Sequence, residues 1–209
     1  MTTEMPTIDA GSLTLLEIVP RQGEWNERDY LWASSISNRL VELVDGHLEI
    51  VPMPTQHHQA IIRFLFFRLY MLMGTVGGEV VFAPLRLRLW NGRFREPDIL
   101  LLLAADDPRR ANEFWNGADL VVEVVSPDKP ERDTVEKVAD YAQAGIPEYW
   151  IVNPLTQTIT VLQLEADDYV VHGEWGRGGI ATSALLPNFA VNVSDALDGR
   201  HDSLHVNPQ

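Results

Sequence analysis

The stretch "GADLVVEVVSPDKPERDTVEKVADYAQAGIPEYWIVNP", residues 117–154, decides the fold class. It opens on an apolar run, Leu120 to Val125, broken only by Glu123, and closes on a second run in "EYWIVNP", residues 148–154. Both runs are short and bounded by Gly or Pro, which is the pattern of buried strands. Between them a helix is expected from about Pro130 to Ala144, with Gly145 and Pro147 as its stop signal. Strand, helix and strand in this order predict a right-handed parallel crossover. Alternation along the first strand puts Asp119, Val121, Glu123 and Val125 on one face and Leu120, Val122, Val124 and Ser126 on the other. An ionised carboxylate in such a strand is unfavourable unless it is protonated, paired or bound to a cation. Glu123 is therefore the first candidate functional residue.

Upstream, "EPDILLLL" (96–103) holds a second lone acid at the start of an apolar strand. Pro97 has no N–H to give a sheet, so Asp98 belongs at a strand start or an edge. If the two strands are neighbours, Asp98 and Glu123 form a dianionic site suited to a hard divalent cation, typically Mg²⁺ with waters and a substrate phosphate. Each acid also has a plain reading: Asp98 as a strand cap, Glu123 as the partner of an arginine. Further out, Asp45-Gly46 and Asn91-Gly92 each join two alternating runs as hairpin turns. A helix is expected over 55–73, starting at Thr55 and apolar on nearly every face, and a shorter one over 26–35. Residues 106–117 read as a polar connection, and "TITVLQL", "DYVVHGEW" and "GIATSALLPNFAVNV" as a closing meander. The class is α/β or α+β with one mixed β-sheet: a lead-in over 1–25, a single domain over 26–195 and a tail over 196–209.

A chain of 209 residues, 45% apolar and 22% charged, is ordinary for one soluble globular domain. Having no cysteine, it excludes disulfides, zinc-thiolate sites and cysteine nucleophiles. Its start lacks the basic-then-apolar pattern of a signal peptide. The most apolar stretch, 61–73, is interrupted by Arg63 and Arg68 and falls short of the roughly 20 residues of a membrane span. A cytoplasmic protein without a membrane partner is expected. The net charge of −14 disfavours non-specific nucleic-acid binding but leaves room for a local basic cleft. Arg86, Arg88, Arg93 and Arg95 lie within ten residues, and read equally as a solvated hairpin face or a phosphate-tracking surface.

"EPDILLLL", the 117–154 stretch and the earlier "VELVDGHLEIVPMPTQHHQAIIRFL" together resemble the Uma-two family of restriction-endonuclease-like proteins, a branch of the PD-(D/E)XK nuclease superfamily. The resemblance covers roughly residues 38–190. It implies a mixed sheet flanked by helices and a Mg²⁺-dependent endodeoxyribonuclease, with Mn²⁺ as a substitute. DNA would be its partner, and a homodimer is an assembly the fold allows. By position, Asp98 and Glu123 would bind the metal. The superfamily's lysine, two residues after the glutamate, is here Val125; Lys137 would replace it as the third catalytic residue. Glu42 and His58 match auxiliary positions, Glu42 as a third acid and His58 as a phosphate contact or proton relay. The missing lysine and the acidic charge also fit a catalytically idle fold serving as a binding or assembly module. A nuclease acting on RNA is a third reading.

Helical periodicity alone places Lys137 differently. Val135, Val138, Ala139 and Ala142 form an apolar stripe, and Lys137 lies about 160° from its middle at ~100° per residue. Lys137 is then either a surface residue paired with Asp133, or part of a second stripe, Asp133, Lys137 and Tyr141, that faces the acids.

Overall fold

The computed structural model describes residues 19–200. Two polar side chains start the first helices: Asn26 caps α1 (Glu27–Ile36), and Thr55 caps α2 (Gln56–Val76) by accepting from His58 N at 3.2 Å. α2 outruns its expected end at residue 73 and stops at Gly77, whose φ of 83° suits a left-handed cap. Between the helices, β1 (Val41–Val44) and β2 (His47–Ile50) turn through Asp45 and Gly46, both at positive φ (48° and 77°), as a two-residue hairpin requires.

The chain then forms β3 (Glu79–Phe82), β4 (Arg86–Trp90), β5 (Arg93–Arg95), β6 (Ile99–Leu102), β7 (Phe114–Trp115) and β8 (Leu120–Val124). The helical segment α3 comprises a π-helical turn, Arg132–Glu136, running into an α-helix, Lys137–Gln143. After it come β9 (Glu148–Asn153), β10 (Thr158–Glu165), β11 (Asp168–Gly176), β12 (Ile180–Thr182), β13 (Ala190–Asn192) and α4 (Val193–Asp198).

The main sheet has six strands in the order β11-β10-β9-β8-β6-β3. β8 and β9 run parallel, from Leu120↔Glu148 to Val124↔Val152, as the strand–helix–strand reading requires, and β6 lies antiparallel against β8 with Ile99↔Val122. The faces alternate as the sequence dictates. Leu120, Val122 and Val124 pack with Ile61, Phe64 and Leu65 of α2, while Val121 and Val125 pack with Tyr141 and Tyr149 on the α3 side.

A second sheet, β2-β1-β5-β4-β7, takes the two early hairpins, and β12-β13 forms a third, so the expected single mixed sheet is divided. The division falls at Glu96-Pro97-Asp98, where proline cannot continue a ladder and the chain passes from β5 in one sheet to β6 in the other. The small sheet is anchored by Tyr30, Val41, Leu43 and Phe94.

Two expected boundaries move. Gly23 N and Trp25 N both donate to Gly46 O, tying residues of the lead-in to the first hairpin. At the other end, Asn192 caps α4 and buries Ala196 and Leu197, so the folded body runs to Asp198 rather than 195. A helix of one and a half turns is too short for periodicity to reveal. The rest of the lead-in, 1–18, and of the tail, 201–209, lies outside the described residues. α2 is long and apolar enough by composition to cross a membrane. In this fold it instead buries Ile61, Ile62, Phe64, Leu65, Leu69 and Met73 in the core.

Candidate active site

Asp98 immediately precedes Ile99, whose cross-strand partner is Val122, so the register sets Asp98 level with Glu123. The two lone acids are thus neighbours across the β6–β8 seam. Asp98 Oδ2 accepts from Val124 N at 2.7 Å, which fixes its carboxylate against β8. This is also a strand-capping bond, so the plain reading of Asp98 describes part of what it does. From the first turn of α2, His58 Nε2 lies 3.0 Å from Val124 O and 3.3 Å from Asp98 Oδ2.

Glu123 is buried, and its Oε1 accepts from Lys137 Nζ at 2.7 Å and from Tyr141 OH at 2.6 Å. Lys137 Nζ lies also 3.1 Å from Asp133 Oδ1 and 3.5 Å from Glu42 Oε1. The second stripe, Asp133, Lys137 and Tyr141, therefore faces the acids. The apolar stripe does not make the core: Val135 and Ala139 are exposed, and Val138 and Ala142 only half-buried. Lys137 does pair with Asp133, as the surface reading supposed, but both groups are inside. The π-helical turn participates in this placement. Lys137 N donates to Arg132 O, five residues back, at the junction with the regular helix.

Arg95, 1% exposed, bridges Glu42 Oε2 (2.7 Å) and Asp140 Oδ2 (2.6 Å), and so locks the small sheet to α3. Arg93 binds Asp140 Oδ1 at 2.8 Å and Arg88 binds Glu27 Oε1 at 2.9 Å. Three of the four clustered arginines are thus paired with carboxylates of the protein itself, Arg93 and Arg95 with the buried Asp140 and Arg88 with the half-buried Glu27. Their charges are answered within the protein rather than left as an open basic face.

A cavity of about 40 Å³ lies between His58, Asp98, Glu123, Val124 and Arg132. Arg132 is buried, and among the described residues its Nε has no hydrogen-bond partner. Among the described residues no three His, Asp or Glu side chains form a metal cluster. The oxygen donors here are instead two carboxylates, Asp98 and Glu123, and the Val124 carbonyl. Such a hard-oxygen set fits Mg²⁺, which keeps several waters and takes only one or two protein carboxylates.

The Uma-two family model, described as "Putative restriction endonuclease", matches residues 32–194. The chain belongs to this family. Its fold is similar to that in the crystal structure of "a putative nuclease belonging to DUF820" from Anabaena variabilis ATCC 29413. That likeness has a TM-score of 0.64 at 17% identity, over 78% of this chain and 92% of that one. No curated protein matches the sequence.

Electrostatics sharpen the picture of this Uma-two site. Burial raises Glu123 above the ordinary carboxylate range; Lys137 opposes the rise, while Asp133, Asp98 and Glu42 add to it. Burial also pushes Glu42 upward, but Lys137 and Arg95 outweigh it and hold its carboxyl at about 2. Glu96, buried and repelled by Glu42, rises to about 7 against the pull of Arg86 and Lys137. Glu96, Asp140 and Arg132 were not among the candidates read from the sequence, and Arg95 was read there only as one of four clustered arginines. The signal for Arg95 and Glu96 was the charge run Arg93, Arg95, Glu96, Asp98 leading into a wholly apolar strand; Arg132 and Asp140 had none.

Two outcomes follow from these groups. A depressed carboxyl adds stability above its unfolded value of 4.5 and loses it as pH falls, so Glu42 contributes on the order of 3 kcal/mol that disappears between about pH 4.5 and 2. A raised carboxyl behaves in the opposite sense: Glu96 adds stability below 4.5 and loses it as pH rises through about 7. Urea midpoints across this range should fall on both sides, and Glu96→Gln should flatten the alkaline fall alone. Separately, Lys137→Met leaves three buried carboxylates short of a cation and should cost about 3–5 kcal/mol in urea unfolding. Adding Glu123→Gln to that variant should recover part of the loss; a double variant no better than the single one would contradict the pairing.

Proposed function

We propose that the chain is a Mg²⁺-dependent endodeoxyribonuclease in which Mn²⁺ can replace Mg²⁺. The observation that carries this reading is a pair of facing acids on adjacent strands, in a cavity whose own cations leave Glu123 short of positive charge. Asp98, Glu123 and the Val124 carbonyl would hold the ion. When bound, the ion would polarise the scissile phosphate and lower the pKa of a water for in-line attack.

The remaining steps belong to the protein. Lys137 Nζ, 2.7 Å from Glu123 Oε1, orients that carboxylate and sets a fixed positive charge where negative charge develops. It supplies from α3 the ammonium that Val125 cannot. Tyr141 fixes the same oxygen from the next turn. Glu42, gripped by Arg95, holds Lys137 from the far side rather than facing the phosphate. His58, poised at Asp98 and the Val124 carbonyl, can relay a proton at the cavity wall. Arg132 lines the cavity, and its guanidinium would be the donor to a phosphate oxygen. The presence of a buried lysine at the glutamate supports an enzyme over an idle fold.

Nicking of supercoiled plasmid by rigorously purified protein tests the reading. Cleavage should require Mg²⁺ or Mn²⁺, and Asp98→Asn or Glu123→Gln should each lower the rate by roughly two to three orders of magnitude with the fold intact. Full cleavage by either variant would show that the acids are not the site. Cleavage of RNA but not DNA would keep the centre and change the substrate.

A further inference from the structure

Next to the 40 Å³ cavity lies a pocket of about 720 Å³, and the two share Leu40, Pro54, Gln59, Ala83 and Glu96 in their walls. Its size falls in the ~300–1,000 Å³ range of pockets that take one small ligand. The C-terminal end of α1 and the following loop supply Ser35 and Asn38, and the turn after β3 supplies Pro84 and Leu85. Met53, 74% exposed, stands at its edge.

Two charged side chains in its wall each keep one buried polar atom without a hydrogen bond among the described residues, although Arg86 Nη1 does donate to Glu113 O at 3.4 Å. Glu96 is 7% exposed, and its Oε2 has no hydrogen bond among the described residues. Arg86 Nε is buried and equally unbonded, lying 4.0 Å from Glu96 Oε1, too far for a hydrogen bond. A buried acceptor and a buried donor left open at one wall are costly unless a ligand completes them.

We infer that this pocket is the subsite for one unpaired nucleoside of the substrate, the one adjoining the phosphate held at Asp98 and Glu123. The inference rests on the nuclease reading and deepens it to a single-stranded or locally unstacked substrate. The wall that the two cavities share sets a nucleoside here beside a phosphate at the acids. Glu96 and Arg86 offer an acceptor and a donor side by side, and every base edge carries a donor next to an acceptor. The rings of Pro54 and Pro84 and the thioether of Met53 offer apolar cover for a base face. A duplex fits the molecule less well. Its two rows of phosphates need a basic track, whereas Arg88, Arg93 and Arg95 are held by the protein's own acids in a chain of net charge −14. A base can enter this pocket only after leaving the stack.

Fluorescence anisotropy with a short phosphorothioate-linked DNA oligonucleotide reads binding without cleavage. The wild-type protein should bind the single strand on the order of tenfold more tightly than the matching duplex, the scale of one base contact. Ser35→Trp and Asn38→Trp, each filling the pocket from an exposed position, should each weaken single-strand binding on the order of tenfold while leaving thermal melting unchanged. Equal affinity for both forms, undiminished binding by both folded variants, or binding to neither form would overturn the subsite. Plasmid nicking that still depends on Asp98 and Glu123 would then show that the nuclease reading survives without it. Pocket-dependent binding with no nicking would remove that reading instead.

Discussion

The ammonium group of Lys137 is the point on which the rest of the structure turns. It is buried, and it lies within 3.5 Å of carboxylates from three separate elements: Glu123 of β8, Asp133 of the π-helical turn and Glu42 of β1. Any of these acids alone in the interior would be protonated or would force the local structure open. Together with Arg95, which joins Glu42 to Asp140, they make a cluster in which almost every charge is answered by another. The small sheet, the main sheet and α3 are held in one arrangement by that requirement as much as by apolar packing.

The same cluster explains why α3 presents a charged face to the interior. A helix normally buries its most apolar stripe. Here Val135 is 61% exposed while Asp133, Lys137 and Asp140 are buried. Those polar groups satisfy each other only if the helix is rotated toward the acids, and Tyr141 and Ile146 supply the apolar contact that remains. The cluster still falls short of neutrality. Glu123 stays raised despite its lysine, and the adjacent cavity carries Asp98 as a further acid. Glu123 is thus the least compensated acid of the cluster.

The sequence shows the two acids plainly, because Asp98 and Glu123 each interrupt a strand that is otherwise apolar. The crossover of β8, α3 and β9 is equally plain from run lengths and the Gly145–Pro147 stop. The turns at Asp45-Gly46 and Asn91-Gly92 set the hairpins. Lys137 is another matter: periodicity left it between two faces, and the family resemblance chose the right one. The π-helical turn and the inward charges depend on contacts from β1 and β8, distant in sequence, which no local pattern carries. The pairing of Arg95 with Asp140 is hidden for the same reason, since neither has this role without the other. The division into separate sheets follows from Pro97, visible in the sequence as a strand breaker but not as a passage between sheets.

The most direct test of the account is where a divalent cation binds. Anomalous diffraction from crystals soaked in Mn²⁺ would locate the ion. The account predicts a peak within about 2.3 Å of Asp98, Glu123 and the Val124 carbonyl oxygen, with Lys137 still on Glu123. A structure at saturating Mn²⁺ with no peak there, or with the ion bound away from both acids, would contradict it.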